Sequence, residues 1–131
     1  MAIRVVDTNV FSFILRGRSV AKKYASHLSG HTLAVLFMKV AELYEWGILR
    51  SWSPARWAAL QAMLSGYVVL PADDNTCLHW AIVRDNRRSQ PIAVDDAWIA
   101  ASALAHGAEL VTHNPGDFQG VTGLTVISEA P

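Results

Sequence analysis

Five short aliphatic runs, at 3–6, 32–37, 67–70, 109–112 and 124–127, alternate with longer stretches whose apolar residues recur every three or four positions. No other feature constrains the fold as tightly. Strand, helix and next strand in succession build a parallel crossover, and a parallel sheet must be covered by helices on both faces. The first run, Ile3-Arg4-Val5-Val6, is rich in β-branched residues and ends at Asp7, which reads as a buried strand. Helical spacing follows over 9–15, and the break at Arg16-Gly17-Arg18-Ser19 leaves Ser19 to cap a second helix over 19–28. Val40, Leu43, Tyr44, Gly47 and Ile48 place Glu42 in the early turns of a third.

Ser53-Pro54 is a helix start, serine capping and proline at the first turn, and Gly66 stops that helix. Asp73, Asp74 or Asn75 begins a fifth helix that runs into the basic stretch at 84–88. A sixth is predicted over 97–106 with Gly107 as its C-cap. The expected architecture is α/β: a three-layer α/β/α arrangement around a central, mainly parallel sheet of about five strands. In such sheets functional groups gather beyond the carboxyl ends of the strands, where the strand order reverses.

A chain of 131 residues, 52% of them hydrophobic, reads as one domain over 1–131 that buries roughly two thirds of its unfolded surface. Eleven basic and eleven acidic residues cancel, so only a local basic patch could attract nucleic acid. A lone cysteine, Cys77, excludes an internal disulfide or a thiolate metal site and fits a reducing compartment. With no leader-like segment and no apolar run of ~18 residues, a soluble cytoplasmic protein is expected.

Against that apolar background Asp7, Glu42, Asp96 and Asp117 stand out. Asp7 ends the first strand, Asp96 and its neighbour Asp95 open a helix, and Asp117 follows the turn Asn114-Pro115-Gly116. Helix capping accounts for Asp7, and for one of the pair at 95 and 96, but not for both. Gathered in one pocket, carboxylates about 4 Å apart repel by roughly 4 kcal/mol at an effective dielectric near 20. A divalent ion with a taste for hard oxygen, Mg²⁺ or Mn²⁺, relieves that repulsion. Other chemistries lack their signatures. His27, His31, His79, His106 and His113 do not have zinc-ligand spacing, and there is no nucleophile elbow, phosphate loop or dinucleotide fingerprint.

Val5-Val6-Asp7-Thr8-Asn9-Val10 resembles the opening of PIN-domain nucleases. Ala41-Glu42-Leu43 with Gly47 resembles their second motif, Asp96-Ala97-Trp98-Ile99-Ala100-Ala101 the third, and Leu110-Val111-Thr112-His113-Asn114 followed by Asp117-Phe118 the last. In length the chain is most similar to the VapC-type ribonuclease toxins of bacterial toxin–antitoxin pairs. The resemblance implies a PIN-like fold, RNA as substrate, and Asp7, Glu42, Asp96 and Asp117 as a catalytic quartet binding Mg²⁺ or Mn²⁺. It implies supporting roles for Asp95, Thr112 and Asn114, and a cognate antitoxin as partner. One departure is Lys39, where the family commonly has Ser or Thr three residues before the glutamate. It pairs with an acid, reaches a phosphate, or points to solvent.

Arg16, Arg18, Arg84, Arg87 and Arg88 are the candidates for holding an RNA backbone, with a solvated helix end as the plainer reading of 84–88. Trp46, Trp52 and Trp57 read first as core. Surplus apolar surface beside them would serve a homodimer or a partner helix. The rival function is a Mg²⁺-binding, non-enzymatic signalling or partner-binding module of receiver-like or inactive PIN-like fold. A receiver would carry an acidic pair near the first strand and a late lysine; here Asp7 stands alone and no lysine follows Lys39.

Overall fold

A computed structural model describes residues 2–131. In chain order the elements are β1 (Ile3–Val6), α1 (Thr8–Leu15), a 3₁₀ turn (Ser19–Lys23), α2 (Ala25–Leu28), β2 (Thr32–Leu36), α3 (Phe37–Leu49) and α4 (Pro54–Leu64). They continue as β3 (Val68–Leu70), α5 (Asp74–Asn86), α6 (Val94–Ala105), β4 (Glu109–Val111), a second 3₁₀ turn (Pro115–Phe118) and β5 (Val126–Ile127). Among the described residues five strands form one sheet in the order β3-β2-β1-β4-β5. Every neighbouring pair is parallel.

Alternation along the strands sorts the core into two layers. Val6, Val35 and Val111 face a cluster with Val10, Phe11, Leu43, Leu60 and Leu64, supplied by α1, α3 and α4. Val5, Ala34, Leu36 and Leu110 face the opposite cluster with Val83, Ala97, Ile99 and Ala100, supplied by α5 and α6. Both faces of the three central strands, β1, β2 and β4, are therefore buried toward their carboxyl ends, which is why those runs read as continuously apolar. Each fully buried Leu, Val or Phe contributes about 1.5–3 kcal/mol relative to exposure.

The capping expectations hold at three helices, with Asp7 at the start of α1, Ser53 at α4 and Asp73 at α5. Ser53 Oγ accepts from Arg56 N at 3.2 Å with Pro54 behind it, and Asp73 Oδ1 accepts from Thr76 N at 2.9 Å. Two expectations do not hold. Residues 19–28 form a 3₁₀ turn and a four-residue helix rather than one helix, because the segment has one buried anchor, Tyr24, in place of an apolar stripe. The sixth helix begins at Val94, with Ala93 as an N-cap that makes no side-chain bond. Asp95 and Asp96 lie within its first turn, so capping explains neither.

Three of the tryptophans are packing residues, as their plainer reading held. Trp52 and Trp57 meet edge to face at 5.5 Å, directly over Gly47. A Cβ at position 47 would lie 2.4 Å from Trp57 Cη2 and 2.9 Å from Trp52 Cε3, so only glycine lets α3 and this pair approach. Among the described residues no helix is long and apolar enough to cross a membrane.

The strand order reverses at β1. From β1 the chain lays down β2 and β3 on one side, then returns through α5 and α6 to place β4 and β5 on the other. The crevice between the carboxyl ends of β1 and β4 is the switch point at which open α/β sheets bind their ligands.

Gly47→Ala is expected to destabilise the fold by about 1–3 kcal/mol through overpacking. Urea unfolding followed by tryptophan fluorescence checks this, and a variant as stable as wild type would show that the indole pair can yield.

Candidate active site

Asp7 is the first residue past β1 and is only 7% exposed. Its backbone N–H still donates to Val111 O at 2.9 Å, so the end of β1 stays tied to the end of β4. Its Oδ1 accepts from Thr8 N at 2.8 Å, capping α1, while Oδ2 accepts from Thr112 Oγ1, also at 2.8 Å. Burial pushes the Asp7 carboxyl above the ordinary carboxylate value, with the bonds from Thr112 and Thr8 and the charge of Lys39 pulling the other way. Asp7 is thus both a cap and a strained anion in the crevice.

Thr112 is the hub between the two strand ends. Fully buried, it donates to Asp7 and accepts from Asn114 N at 3.1 Å. Asn9 completes the tie: its Oδ1 accepts from Val10 N at 2.7 Å and from His113 N at 3.1 Å. Asn9 had no site role in the sequence reading. Its presence between Asp7 and an apolar helix was the available signal, since an amide there can bridge two backbones. The side chain of Asn114 is exposed, and it is its backbone that serves the hub. His113 is occupied elsewhere, with Nδ1 2.5 Å from the buried Tyr24 hydroxyl.

Asp96 enters the same field from α6. Its carboxyl is pushed up to about 6, first by burial, then by the negative charges of Asp117 and Asp7; Lys39 opposes and Asp95 adds to the rise. The 3₁₀ turn at 115–118 sets Asp117 at the surface, anchored by the buried Phe118 beside it. Glu42, about one third exposed, lies on α3 with Oε2 2.7 Å from Lys39 Nζ. Lys39 is 7% exposed and also stands 3.8 Å from Asp95 Oδ2. Of its three possible roles, pairing with acids is the one the fold realises.

The structure therefore brings Asp7, Asp96 and Asp117 into one electrostatic field, with Glu42 and Asp95 joined to it through Lys39. This donor set, all hard oxygens around an excess of negative charge, suits a divalent ion in chemistry. Among the described residues no three acidic, histidine or cysteine side chains converge as they stand into a ready coordination cluster.

The arginines divide. Arg87 donates to Gln90 O at 2.7 Å and Gln119 O at 2.6 Å, Arg88 pairs with Asp85, and Arg84 lies over Trp80. Each of the three makes a local contact. Arg18 is exposed ahead of the first 3₁₀ turn. Arg16 lines a cleft of about 320 Å³ together with Arg50 and Arg56, whose guanidinium groups lie over Trp46 and Trp52. Sequence inspection missed Arg50 and Arg56 because they are isolated along the chain and meet only in space.

The PIN domain family model matches residues 4–124 of this chain. A protein named Ribonuclease VapC1 from Haemophilus influenzae (strain R2866) is 29% identical over 126 residues, covering 93% of this chain and 94% of that protein. The tRNA(fMet)-specific endonuclease VapC of Shigella flexneri is 26% identical over 123 residues, 92% of each chain. Among solved structures, VapBC-1 from nontypeable Haemophilus influenzae matches with a TM-score of 0.79 at 28% identity, covering 96% of this chain and 97% of that one.

The raised Asp96 carboxyl has a defined consequence for stability. The folded state holds this proton up to about pH 6, whereas the unfolded chain releases it near the ordinary value of 3.8. Asp96 thus stabilises the fold fully below that lower value, and the contribution is lost as pH rises through 6. In EDTA, wild type should lose thermal stability relative to Asp96→Asn between about pH 4 and 6, with parallel curves above about pH 7. Melting curves across this range check it; curves parallel throughout would contradict the shift.

Proposed function

This chain belongs to the PIN-domain family, and from that premise we propose that it is a metal-dependent endoribonuclease, the toxin of a bacterial toxin–antitoxin pair. The observation that carries the reading is that the charges of Asp117 and Asp7 both bear on the half-buried Asp96, although Asp7 follows β1 and lies far from the other two in sequence. The names of the relatives, Ribonuclease VapC1 and tRNA(fMet)-specific endonuclease VapC, support RNA as the substrate. The whole of 1–131 acts as one domain, in the cytoplasm.

Asp7 and Asp96 are the principal ligands for Mg²⁺ or Mn²⁺, with Asp117 beside them, and Glu42 completes the acidic quartet from the flank where it pairs with Lys39. Asp7 Oδ1 accepts from Thr8 N and, at 3.4 Å, from Thr8 Oγ1, while Oδ2 accepts from Thr112 Oγ1 and, at 3.4 Å, from Asn9 Nδ2, and these bonds orient the carboxylate. When bound, the ion would polarise the phosphoryl oxygen and lower the pKa of a water, the chemistry phosphodiester hydrolysis requires. Asp96, half-charged near pH 6, binds cations less well as pH falls, because the proton competes for the same oxygens. Thr112 and Asn9 hold the strand ends together, so the acids keep their positions when substrate charge enters.

Arg16, Arg50 and Arg56 provide the basic patch that net charge alone did not reveal, and we assign the RNA backbone to this cleft rather than to 84–88. Exposed Tyr44, Ile48 and Leu49 on α3 leave an apolar strip. That strip suits an antitoxin helix or a second copy of this chain. The VapBC-1 match supports the first partner.

Asp96→Asn should abolish Mg²⁺-dependent cleavage of total RNA while leaving the circular dichroism spectrum unchanged; full residual activity would sink the assignment. Arg16→Ala combined with Arg56→Ala should weaken single-stranded RNA binding and reduce the magnitude of the log–log salt slope by roughly 1.4, the value for two lost phosphate contacts. Fluorescence anisotropy at several salt concentrations measures both, and an unchanged slope would exclude this cleft.

A further inference from the structure

Lys39 is out of place by ordinary rules. Lysine is almost never buried without a partner, and its long side chain normally carries the charge out to water. Here the residue is 7% exposed on the inward face of α3, with its ammonium 2.7 Å from Glu42 and 3.8 Å from Asp95. The same charge is felt by Asp7 and Asp96 across the crevice. Among the described residues it is the only cation in an ion pair with any of the five acids at 7, 42, 95, 96 and 117. The chain has placed a fixed positive charge on one flank of the cluster and left the flank of Asp7, Asp96 and Asp117 without one.

We propose that Lys39 stands in for a second metal ion, so that this site takes one divalent cation rather than two. The inference rests on the metal-dependent reading above and adds the stoichiometry. Two-ion phosphodiesterase sites hold their cations about 3.5–4 Å apart, bridged by carboxylates that serve both. Glu42 and Asp95 are the acids that would hold the second ion, and the ammonium already lies within bonding distance of Glu42. A dication beside it would meet twice the repulsion of two unit charges at that separation. Glu42 therefore acts through Lys39, and both are positioning residues for the ion held by Asp7, Asp96 and Asp117. A compact ammonium with three donors suits this place, since it can bond two carboxylates at once without imposing a planar geometry.

The test counts ions without using activity. The full chain, stripped with EDTA and dialysed, is titrated with Mn²⁺, and free ion is followed by electron paramagnetic resonance. Wild type should bind one Mn²⁺ and Lys39→Met two, while Lys39→Arg, which keeps the charge, should remain at one. Wild type binding two ions, or Lys39→Met staying at one, would overturn the proposal. Wild type binding none would remove the metal-dependent reading itself, which separates the two failures. Circular dichroism establishes that each variant is folded, and Lys39→Gln replaces the methionine variant if that one is not.

Discussion

A carboxylate held at 7% exposure is the constraint on which the rest of this molecule turns. Burying a charge is costly unless it is hydrogen-bonded, and Asp7 is bonded from two separate elements, by the start of α1 and by Thr112 at the end of β4. Those bonds make demands on everything around them. β4 must lie beside β1, so the chain must cross over from β3 through α5 and α6 to reach it. α1 must begin at once, with no loop between strand and helix. The switch point of the sheet and the position of the acid are one geometric fact.

Around that anchor the molecule keeps more negative charge than it neutralises. Asp96 shows the imbalance directly, with its carboxyl held near 6 by burial and by the two acids that share its field. A protein selected for stability alone would remove one of these groups, because like charges in a half-buried crevice oppose folding at neutral pH. Titratable groups perturbed in this way mark a candidate functional site. Lys39 is the partial answer built into the chain: it balances Glu42 and Asp95 but leaves the Asp7 side open. Among the described residues no feature of the fold favours a signalling module, and the late lysine such a module would need is not in the sequence.

Much of this was legible before the fold was known, and the failures have identifiable causes. The central strands were readable because both their faces are buried toward the carboxyl ends, whereas the edge strand β3 leaves Val68 and Val69 exposed and was legible from its β-branched run alone. The starts at Ser53 and Asp73 were readable because a cap is a local bond between residues three apart. The segment 19–28 misled because helical propensity without a packed face does not sustain a helix, and here only Tyr24 is anchored. Asp95 and Asp96 looked like caps because acids favour any first turn, where the helix dipole attracts them whether or not they bond the backbone.

The sequence by itself determined the alternation of strand and helix and the parallel sheet, and it singled out the four acids as candidates, since each depends on periodicity or on a motif a few residues long. What only the tertiary structure decided is which charges meet. Lys39 and Asp95 are 56 residues apart, and Asp7 and Thr112 are separated by 105. Arg16, Arg50 and Arg56 share a cleft although no run of basic residues joins them. Coulomb energy depends on distance through space and on the dielectric between groups, and neither is written along the chain. The acids could be named from their neighbours in sequence, but their protonation and their counter-ion followed only from their neighbours in the fold.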